Sequence, residues 1–334
     1  MDESFERELP AILRRLGLVA EGDEPRIASL AGGVSSDIFK VEAGERVFAV
    51  KRALEKLKVV ADWRAPVERN AYEVAWIETA GRIVPDAVPK ILGHDPGGLF
   101  AMTYLDPKSH PVWKSQLRDG HVDEGFAAEV GRRMAAIHAA TADDPVIAER
   151  FATDRIFHPI RLEPYLEATA RKHPGVADRL MALSRDTLAT RKALVHGDVS
   201  PKNILVGPKG PVFLDAECAW YGDPAFDLAF CLNHLLLKGL WNRAAARDFL
   251  GAFDALAAAY LDGVRWEPRE DVEARAARLL PGLFLARVDG KSPVEYVTAD
   301  ADRDLVRAAA LPLIAAPPRT LGAIRIAWAK RLGI

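Results

Sequence analysis

The hydrophobic pattern of this chain changes character once, and that change limits the folds it can adopt. Between about residues 26 and 52, short alternating segments split by glycines predict a β meander: "RIASLA", "DIFKVEA" and "RVFAVKR". A helical stretch closed by Gly81 follows, and then two strand candidates joined by a turn at Pro96-Gly97-Gly98. After Leu105 the pattern is mostly helical. The sequence therefore predicts an α+β protein with two lobes: a small antiparallel β lobe at residues 1–105 and a larger, mainly helical lobe at residues 106–334.

Helical spacing supports this division at both ends of the chain. Residues 1–20 place Phe5, Leu9 and Leu13 on one face, and "EGFAAEVGRRMAAIHAAT" has the period of a buried helix. The last segment, "RTLGAIRIAWAKRLGI", predicts an amphipathic basic helix that packs on its own core or, as the alternative, on a partner. Two short strands are expected near residues 193–196 and 211–215. A cleft between two lobes is a usual place for a small-molecule site.

Charge and cysteine content exclude several classes of partner. The 334 residues contain 45 Lys+Arg and 47 Asp+Glu, a formal charge of −2, which argues against binding nucleic acid or an anionic membrane. No apolar run approaches the roughly 18–20 residues that span a bilayer, and no signal peptide is evident. The two cysteines, Cys218 and Cys231, are expected to be buried thiols. We expect a cytoplasmic protein; its oligomeric state is left open.

One segment carries a recognisable set of chemical groups. In "LVHGDVSPKNILVG" (residues 194–207), Asp198 precedes Asn203 by the offset found in the kinase catalytic loop H-R-D-x-x-x-x-N, and Asp215 follows the strand "PVFL". Phosphoryl transfer needs a carboxylate that orients the attacking hydroxyl and accepts its proton. It also needs oxygen ligands that hold Mg²⁺ against the phosphates. These spacings predict Mg-assisted phosphoryl transfer.

Over residues 194–230 the chain strongly resembles the aminoglycoside phosphotransferase and choline kinase group of small-molecule kinases, and more weakly from about residue 28 to 240. The resemblance rests on His196-Gly197-Asp198, Asn203, Asp215 and "GDPAFDLAF" at 222–230. It implies a protein kinase-like fold, with Asp198 as the catalytic base and Asn203 and Asp215 as Mg²⁺ ligands. It also implies that Asp227 is a buried carboxylate that braces the catalytic loop and that His196 is a structural member of that loop.

The small lobe offers candidates for holding the nucleotide, which we expect to be ATP. Lys51 ends the alternating strand "VFAVKR", much as in V-A-I-K, and Glu73 on the next helix is the first choice for its partner, with Glu68 the second. The turn "LAGGVSSDIFKV" brings glycine amides and serine hydroxyls within reach of phosphate oxygens. The candidates there are Gly32, Gly33, Ser35 and Ser36. The family often has asparagine where Ser36 stands. At the lobe boundary, the backbone of Thr103–Leu105 would bond the adenine edge, and Met102 and Tyr104 would flank the base.

The phosphate acceptor is predicted only as a small hydroxylated compound. No Ala-Pro-Glu segment follows Asp215, which disfavours a protein substrate. The acceptor site is expected between residues 154–166 and 286–296; candidate contacts are His158, Arg161, Glu217, Arg287 and Lys291. If several of the cationic ones converge, an anionic acceptor is indicated. Two alternatives stay open: a kinase-like protein that binds nucleotide without turnover, and a protein kinase. The choice between ATP and GTP is also open.

Overall fold

The computed structural model describes residues 3–30, 36–55 and 66–334. The chain divides into two compact units, Met1–Asp106 and Pro107–Ile334. Among the described residues no helix combines the length and hydropathy that crossing a bilayer requires. Cys218 and Cys231 are buried and are not joined in a disulfide.

The first unit is built on an antiparallel sheet. Its described strands lie in the order β1-β2-β3-β5-β4. They are β1 (Arg26–Ser29), β2 (Ser36–Ala43), β3 (Arg46–Ala53), β4 (Ile91–Asp95) and β5 (Leu99–Thr103). The register pairs Lys51 of β3 with Ile38 of β2 and with Phe100 of β5, so Lys51 lies on a strand with a partner on each side. Central position in the sheet restricts where its side chain can go.

Two helices accompany this sheet. Helix α1 (Glu3–Arg15) buries Phe5, Leu9 and Leu13, one per helical turn, in the same core cluster as sheet residues such as Phe39. Helix α2 (Arg69–Ile83) carries Glu73. The expectation that this helix closes at Gly81 is wrong: it continues to Ile83 and ends at Val84, whose extended backbone is favoured by the proline that follows. A side chain at Gly81 would press on Val88, so packing explains that glycine better than capping does.

The second unit is a helical assembly around a buried central helix. Its described helices are α3 (Trp113–Arg118), α4 (Glu124–Thr141), α5 (Pro145–Arg150), α6 (Asp154–Phe157), α7 (Ala168–Lys172), α8 (Ala177–Ala189), α9 (Ala225–Trp241), α10 (Ala246–Leu261), α11 (Arg269–Asp289), α12 (Asp300–Ala315) and α13 (Leu321–Leu332). Wide helical turns at His158–Glu167 join α6 to α7. Helix α9 is buried over nearly its whole length. Helix α13 buries Ile324 and Trp328, and the indole N–H donates to the Leu236 carbonyl on α9, so the last helix packs on its own unit as predicted.

Two short strand pairs interrupt the helices and hold the sequence motif. β6 (Ala193–Val195) pairs with β9 (Trp220–Gly222), and β7 (Ile204–Gly207) pairs with β8 (Gly210–Phe213). The strands expected near 193–196 and 211–215 are β6 and β8, while β7 and β9 were not predicted. Each of the missed strands is three or four residues long and is stabilised by its partner rather than by its own pattern. In the β7–β8 hairpin, the residue before the first strand and the residue after the second lie at the same end.

Candidate active site

The loop after β6 has a backbone shape that only glycine adopts comfortably. Gly197 has φ +80°, and a Cβ placed there would lie 2.6 Å from the carbonyl oxygen of Cys218. A left-handed backbone and this close approach both disfavour any side chain. The glycine of the H-G-D motif is therefore required by the path of the chain, which turns there to present Asp198.

His196 connects this loop to the hairpin. Its Nδ1 accepts the backbone N–H of Asp198 at 3.1 Å, and its Nε2 lies 3.1 Å from the Leu214 carbonyl oxygen. An Nδ1 that accepts and an Nε2 that donates describe a neutral imidazole. Burial lowers the pKa of His196, which keeps it neutral, although nearby carboxylates work in the opposite direction. His196 thus links the backbone of Asp198 to that of Leu214, the residue that precedes Asp215.

Asp198 is buried, 3% exposed, and is held on one oxygen. Its Oδ2 accepts from Asn203 Nδ2 at 2.8 Å and lies 2.9 Å from Arg161 Nη2 and 3.1 Å from Lys202 Nζ. Burial alone would raise the pKa of Asp198, but the charges of Arg161 and Lys202 outweigh it and hold the pKa below its ordinary value. Within the part of the chain that the structure describes, no donor contacts Oδ1. The carboxylate is thus anchored through one of its two oxygens.

Asp227, at the start of α9, holds the catalytic loop by its backbone. Its Oδ2 accepts the N–H of His196 at 2.7 Å and its Oδ1 accepts the N–H of Gly197 at 2.9 Å. His138 Nε2 lies 3.2 Å from the same carboxylate, and His138 Nδ1 is 2.8 Å from the Tyr260 hydroxyl. Bonds from charged acceptors to two successive N–H groups fix the loop strongly.

The β7–β8 hairpin brings Asn203 and Asp215 to one end. Asn203 directly precedes β7, its carbonyl accepts the N–H of Leu214, and Asp215 is the next residue. Asp215 has φ +68°, an unusual value for a residue with a side chain. Strain of this kind concentrates at functional sites, where surrounding contacts enforce it. Asp215 also lies close enough to Asp198 to raise the pKa of that carboxyl against the influence of Arg161.

The donor atoms at this end suit a hard cation. The Nδ2 group of Asn203 is bonded to the carbonyl and carboxylate oxygens of Asp198, which directs its amide oxygen away from that residue. The set then offers an amide oxygen and a carboxylate, both typical ligands of Mg²⁺. The described residues contain no cluster of three or more His, Cys, Asp or Glu side chains that could hold a metal alone.

In the first unit, Lys51 contacts the first-choice partner. Its Nζ lies 2.7 Å and 2.9 Å from the two carboxylate oxygens of Glu73, and the side chains are 3% and 2% exposed. Glu68 stands at the residue before α2. The buried Lys51 ammonium, which makes two hydrogen bonds to Glu73, is held in one position. An ordinary lysine at a strand end would instead move freely in solvent.

The other nucleotide candidates are placed unevenly. Gly32, Gly33 and Ser35 lie outside the described residues, whereas Ser36 begins β2 and is buried. Met102 is buried in β5, with Tyr104 and Leu105 just beyond the strand. The N–H of Thr103 donates to the Lys90 carbonyl within the sheet, so it is not available to an adenine. The ammonium of Lys40 lies 5.1 Å from the centre of the Tyr104 ring.

The acceptor candidates separate into different environments. Arg161 binds the loop that carries Asp198: besides its contact with Asp198, it donates from Nε to the Gly197 carbonyl at 2.5 Å. Glu217 is buried close enough to Arg161 to raise its pKa. His158 bonds to Glu167 and Lys291 to Glu163, so both are engaged with neighbouring carboxylates. Of these candidates, Arg287 borders a cavity.

Sequence reasoning missed several residues that the loop depends on. Lys202 lies inside the motif, four residues after Asp198, a spacing that could have suggested its contact with that carboxylate. His138 and Tyr260 come from α4 and α10, and nothing in their local sequence indicates a link to Asp227. The contacts of His138 with Tyr260 and Asp227 join segments that are far apart in the chain.

Comparison with known proteins gives a consistent result. The model of the Phosphotransferase enzyme family matches residues 26–266. A methylthioribose kinase of Yersinia enterocolitica is 27% identical over 241 residues, which cover 63% of this chain and 60% of that relative. The chain thus matches less than two thirds of the length of that kinase.

Solved structures show the same fold. A choline/ethanolamine kinase family protein from Mesorhizobium loti is similar over 95% of this chain and 99% of its own, with a TM-score of 0.52 and 18% identity. An amicoumacin kinase in complex with AMP-PNP, Ca²⁺ and Ami is similar over 96% of this chain and 98% of its own, with a TM-score of 0.52 and 13% identity. At these identities the likeness concerns the fold alone, and it confirms the predicted α+β class.

Proposed function

The chain belongs to the phosphotransferase enzyme family, as its motif predicted, and from this premise we propose that it transfers the γ-phosphate of ATP to a hydroxyl group of a small metabolite, with Asp198 as the base. The chain is a phosphotransferase of the small-molecule kinase type. The use of ATP, the role of Asp198 as the base and the use of Mg²⁺ are the parts that we propose in addition to this reaction class. They are supported by the arrangement of the site.

The observation that carries the proposal is the state of the Asp198 carboxylate. Its pKa is lowered, so it is ionised at neutral pH, and Oδ2 is anchored, whereas no donor among the described residues contacts Oδ1. A hydroxyl that donates to Oδ1 would be oriented for attack on a phosphorus atom and would pass its proton to the carboxylate late in the reaction. Much of the rate enhancement in such reactions comes from positioning.

Asn203 and Asp215 would hold Mg²⁺ through the amide oxygen and a carboxylate oxygen. When bound, this ion would supply positive charge against the transferring phosphate. The Leu214–Asn203 backbone bond keeps the two side chains at one end of the hairpin. The amicoumacin kinase, whose structure holds a nucleotide analogue with Ca²⁺, agrees with a divalent cation in this fold.

On the nucleotide side, Lys51 would contact the α- and β-phosphates while Glu73 keeps it in place. Ser36, together with Gly32, Gly33 and Ser35, would cover the phosphates. Met102, Tyr104 and Leu105 would border the base. Residues 1–105 would then form the nucleotide-binding lobe, and residues 106–334 would supply the catalytic loop and acceptor site.

The acceptor is proposed as a small hydroxylated compound. The relative from Yersinia enterocolitica is named as a kinase of methylthioribose, which carries hydroxyl groups, so that sugar is the first compound to test. Since the chain covers only part of the length of that kinase, the substrate is not transferred on similarity alone.

The test compares the wild-type protein with Asp198→Asn in ATP consumption against a panel of hydroxylated metabolites that includes methylthioribose. We expect Asp198→Asn to bind ATP with unchanged affinity by isothermal titration and to lose transfer by about three orders of magnitude or more. The exposed carboxylate Asp178 on α8 provides a matched control, Asp178→Asn, with unchanged turnover.

Three results would count against the proposal. Equal turnover by wild type and Asp198→Asn would remove Asp198 from the mechanism. ATP binding without consumption of ATP in the presence of any acceptor would favour a nucleotide-binding protein without turnover. Transfer of labelled phosphate to protein extracts, but to no metabolite, would favour a protein kinase.

A further inference from the structure

A small cavity lies next to the catalytic loop, inside the second unit. Its volume is about 40 Å³, and its walls include Ser200 and Lys202 of the loop, Lys114 of α3, Lys238 of α9, and Arg287 and Tyr296. One water molecule needs a cavity volume of roughly 10–15 Å³. The cavity therefore has room for a few water molecules or for one small polar group, and not for a whole metabolite.

The walls of this cavity are strongly cationic. Lys114, Lys202, Lys238 and Arg287 all border it, whereas Glu295, the acidic side chain among its lining residues, pairs with Lys114 and is largely exposed. Burial, followed by the charges of Arg287 and Lys238, lowers the pKa of the neighbouring His234 well below its ordinary value, so His234 is neutral. Cations gathered this closely repel each other unless an anion joins them.

Lys238 is the most deeply buried of these cations. It is 1% exposed, and its ammonium lies 4.7 Å from the centre of the Trp241 ring and 4.5 Å from that of Tyr296, two rings that stack on each other. Burial and the charge of Lys114 lower its pKa to about 7, although Glu295 acts in the opposite direction. Cation–π contacts compensate for part of the lost hydration.

The same walls hold polar atoms without partners. Ser200 Oγ, Arg287 Nε and Tyr296 Oη are buried, and none of them has a hydrogen-bond partner among the residues that the structure describes. Each can donate a hydrogen bond, and Ser200 is completely buried. Buried donors without acceptors are rare because each one costs free energy. Donors and cations around one cavity together define a site for an oxyanion.

We propose that this cavity binds an oxyanion of the phosphate acceptor, a carboxylate or a phosphate group, while the hydroxyl group of the same molecule reaches Asp198. The proposal rests on the proposed function, because it names the class of its acceptor. Lys202 connects the two places: its side chain borders the cavity and its Nζ lies 3.1 Å from Asp198 Oδ2. A hydroxy acid or a hydroxylated phosphate ester has both groups at the required short separation.

The first test measures anion binding without nucleotide. Sulfate is the probe, because its charge does not change between pH 6 and 9, and binding is followed by isothermal titration at low ionic strength. Lys238→Met removes the buried charge and keeps the length of the side chain, and Tyr296→Phe removes only the unpartnered hydroxyl. We expect sulfate affinity to fall about tenfold to a hundredfold in Lys238→Met, which loses an ion pair, and severalfold in Tyr296→Phe, which loses one hydrogen bond from a neutral donor.

Two control variants localise the binding. Lys330→Met changes an exposed lysine on α13 and should leave sulfate affinity unchanged. Lys51→Met tests whether sulfate binds at the nucleotide candidates instead, and it should also leave the affinity unchanged. Absence of saturable sulfate binding, unchanged binding in both Lys238→Met and Tyr296→Phe, or loss of binding in Lys51→Met alone would overturn the proposal. If Lys238→Met does not fold, Tyr296→Phe decides.

A second test separates carboxylate from phosphate and from neutral ligands. Glycerol, glycerate and glycerol 3-phosphate share a carbon skeleton and differ in the charged group, so their affinities are compared in wild type and Tyr296→Phe. We expect glycerate or glycerol 3-phosphate, and not glycerol, to bind and to lose affinity in the variant. Equal affinity for all three would overturn the proposal.

These results are independent of turnover. Sulfate binding that depends on Tyr296 in a protein that consumes no ATP would retain the anion site and reject the proposed function. Turnover of a neutral acceptor with a KM unaffected by Tyr296→Phe would retain the proposed function and reject the anion site.

Discussion

Replacing Gly197 by alanine tests the geometry of the catalytic loop directly. The left-handed backbone at Gly197 costs an alanine about 1–2 kcal/mol. The new Cβ would also lie 2.6 Å from the carbonyl oxygen and 3.0 Å from the Cβ of Cys218, and overpacking of this kind costs about 1–3 kcal/mol. We therefore expect Gly197→Ala to lower the free energy of unfolding by about 2–5 kcal/mol. For a unit of this size, that lowers Tm by about 4–20 °C.

Two other glycines separate these contributions. Gly333 closes α13 with φ +76° and has no atom within 4 Å of an added Cβ, so Gly333→Ala measures the backbone cost alone. Gly322 lies in α13 with a helical backbone and open space, so Gly322→Ala should be neutral or stabilise the protein by up to about 1 kcal/mol. Urea denaturation followed by tryptophan fluorescence gives the three values, provided that the m-value stays constant.

The comparison has a clear negative outcome. If Gly197→Ala costs no more than Gly333→Ala, the close approach to Cys218 does not exist. If it costs no more than Gly322→Ala, the left-handed backbone is also refuted. A shift of the loop should displace Asp198 as well, and a misplacement of about 1 Å would reduce kcat about a hundredfold while ATP binding is retained.

Three further predictions concern charges around this loop. Arg161→Lys should reduce kcat by about tenfold or more with little change in ATP affinity, because lysine cannot bond the Gly197 carbonyl and Asp198 in the same geometry; unchanged kcat in steady-state assays would refute this. Asp227→Asn should destabilise the protein by about 2–4 kcal/mol in calorimetry, since an amide cannot accept from both backbone N–H groups. Sulfate affinity should fall as the pH rises through about 7, where Lys238 loses its proton in the free protein; an affinity independent of pH between 6 and 8 would exclude Lys238 from the site.

Local patterns predicted the parts of the fold that local interactions determine. The helix expected at "EGFAAEVGRRMAAIHAAT" is α4, Glu124–Thr141, and the first unit contains the predicted meander with its turn before Leu99. The motif predicted one strand between Asn203 and Asp215, whereas the structure has the β7–β8 hairpin there, which fixes the separation of its two ends. Strand partners of three or four residues escaped prediction, since their stability comes from pairing.

Contacts between distant segments could not be predicted. Arg161 was interpreted as an acceptor contact because it is cationic and lies in a helix expected to border that site. The sequence does not say whether such a side chain faces a ligand or a loop 36 residues away. The cations around the cavity could not be predicted for the same reason. They come from four separate segments of the second unit: Lys114, Lys202, Lys238 and Arg287. Each alone has the appearance of an ordinary surface charge.

For Asp198, the proposed base, the contact with Arg161 determines how strongly the carboxylate binds a proton. Arg161 lowers the pKa of Asp198, so the carboxylate is a weak proton acceptor in the ground state. Phosphoryl transfer through a loose transition state tolerates this, because the hydroxyl becomes acidic only as its bond to phosphorus forms. The stability that ionised Asp198 contributes is present above its unfolded pKa of about 4 and is lost only as the pH falls through the lower folded value. Asp198 therefore remains charged at pH 5 and above. Any loss of activity between pH 5 and 7 must come from another group. The contact with Arg161 thus makes the Asp198 carboxylate less basic and holds it in a fixed position.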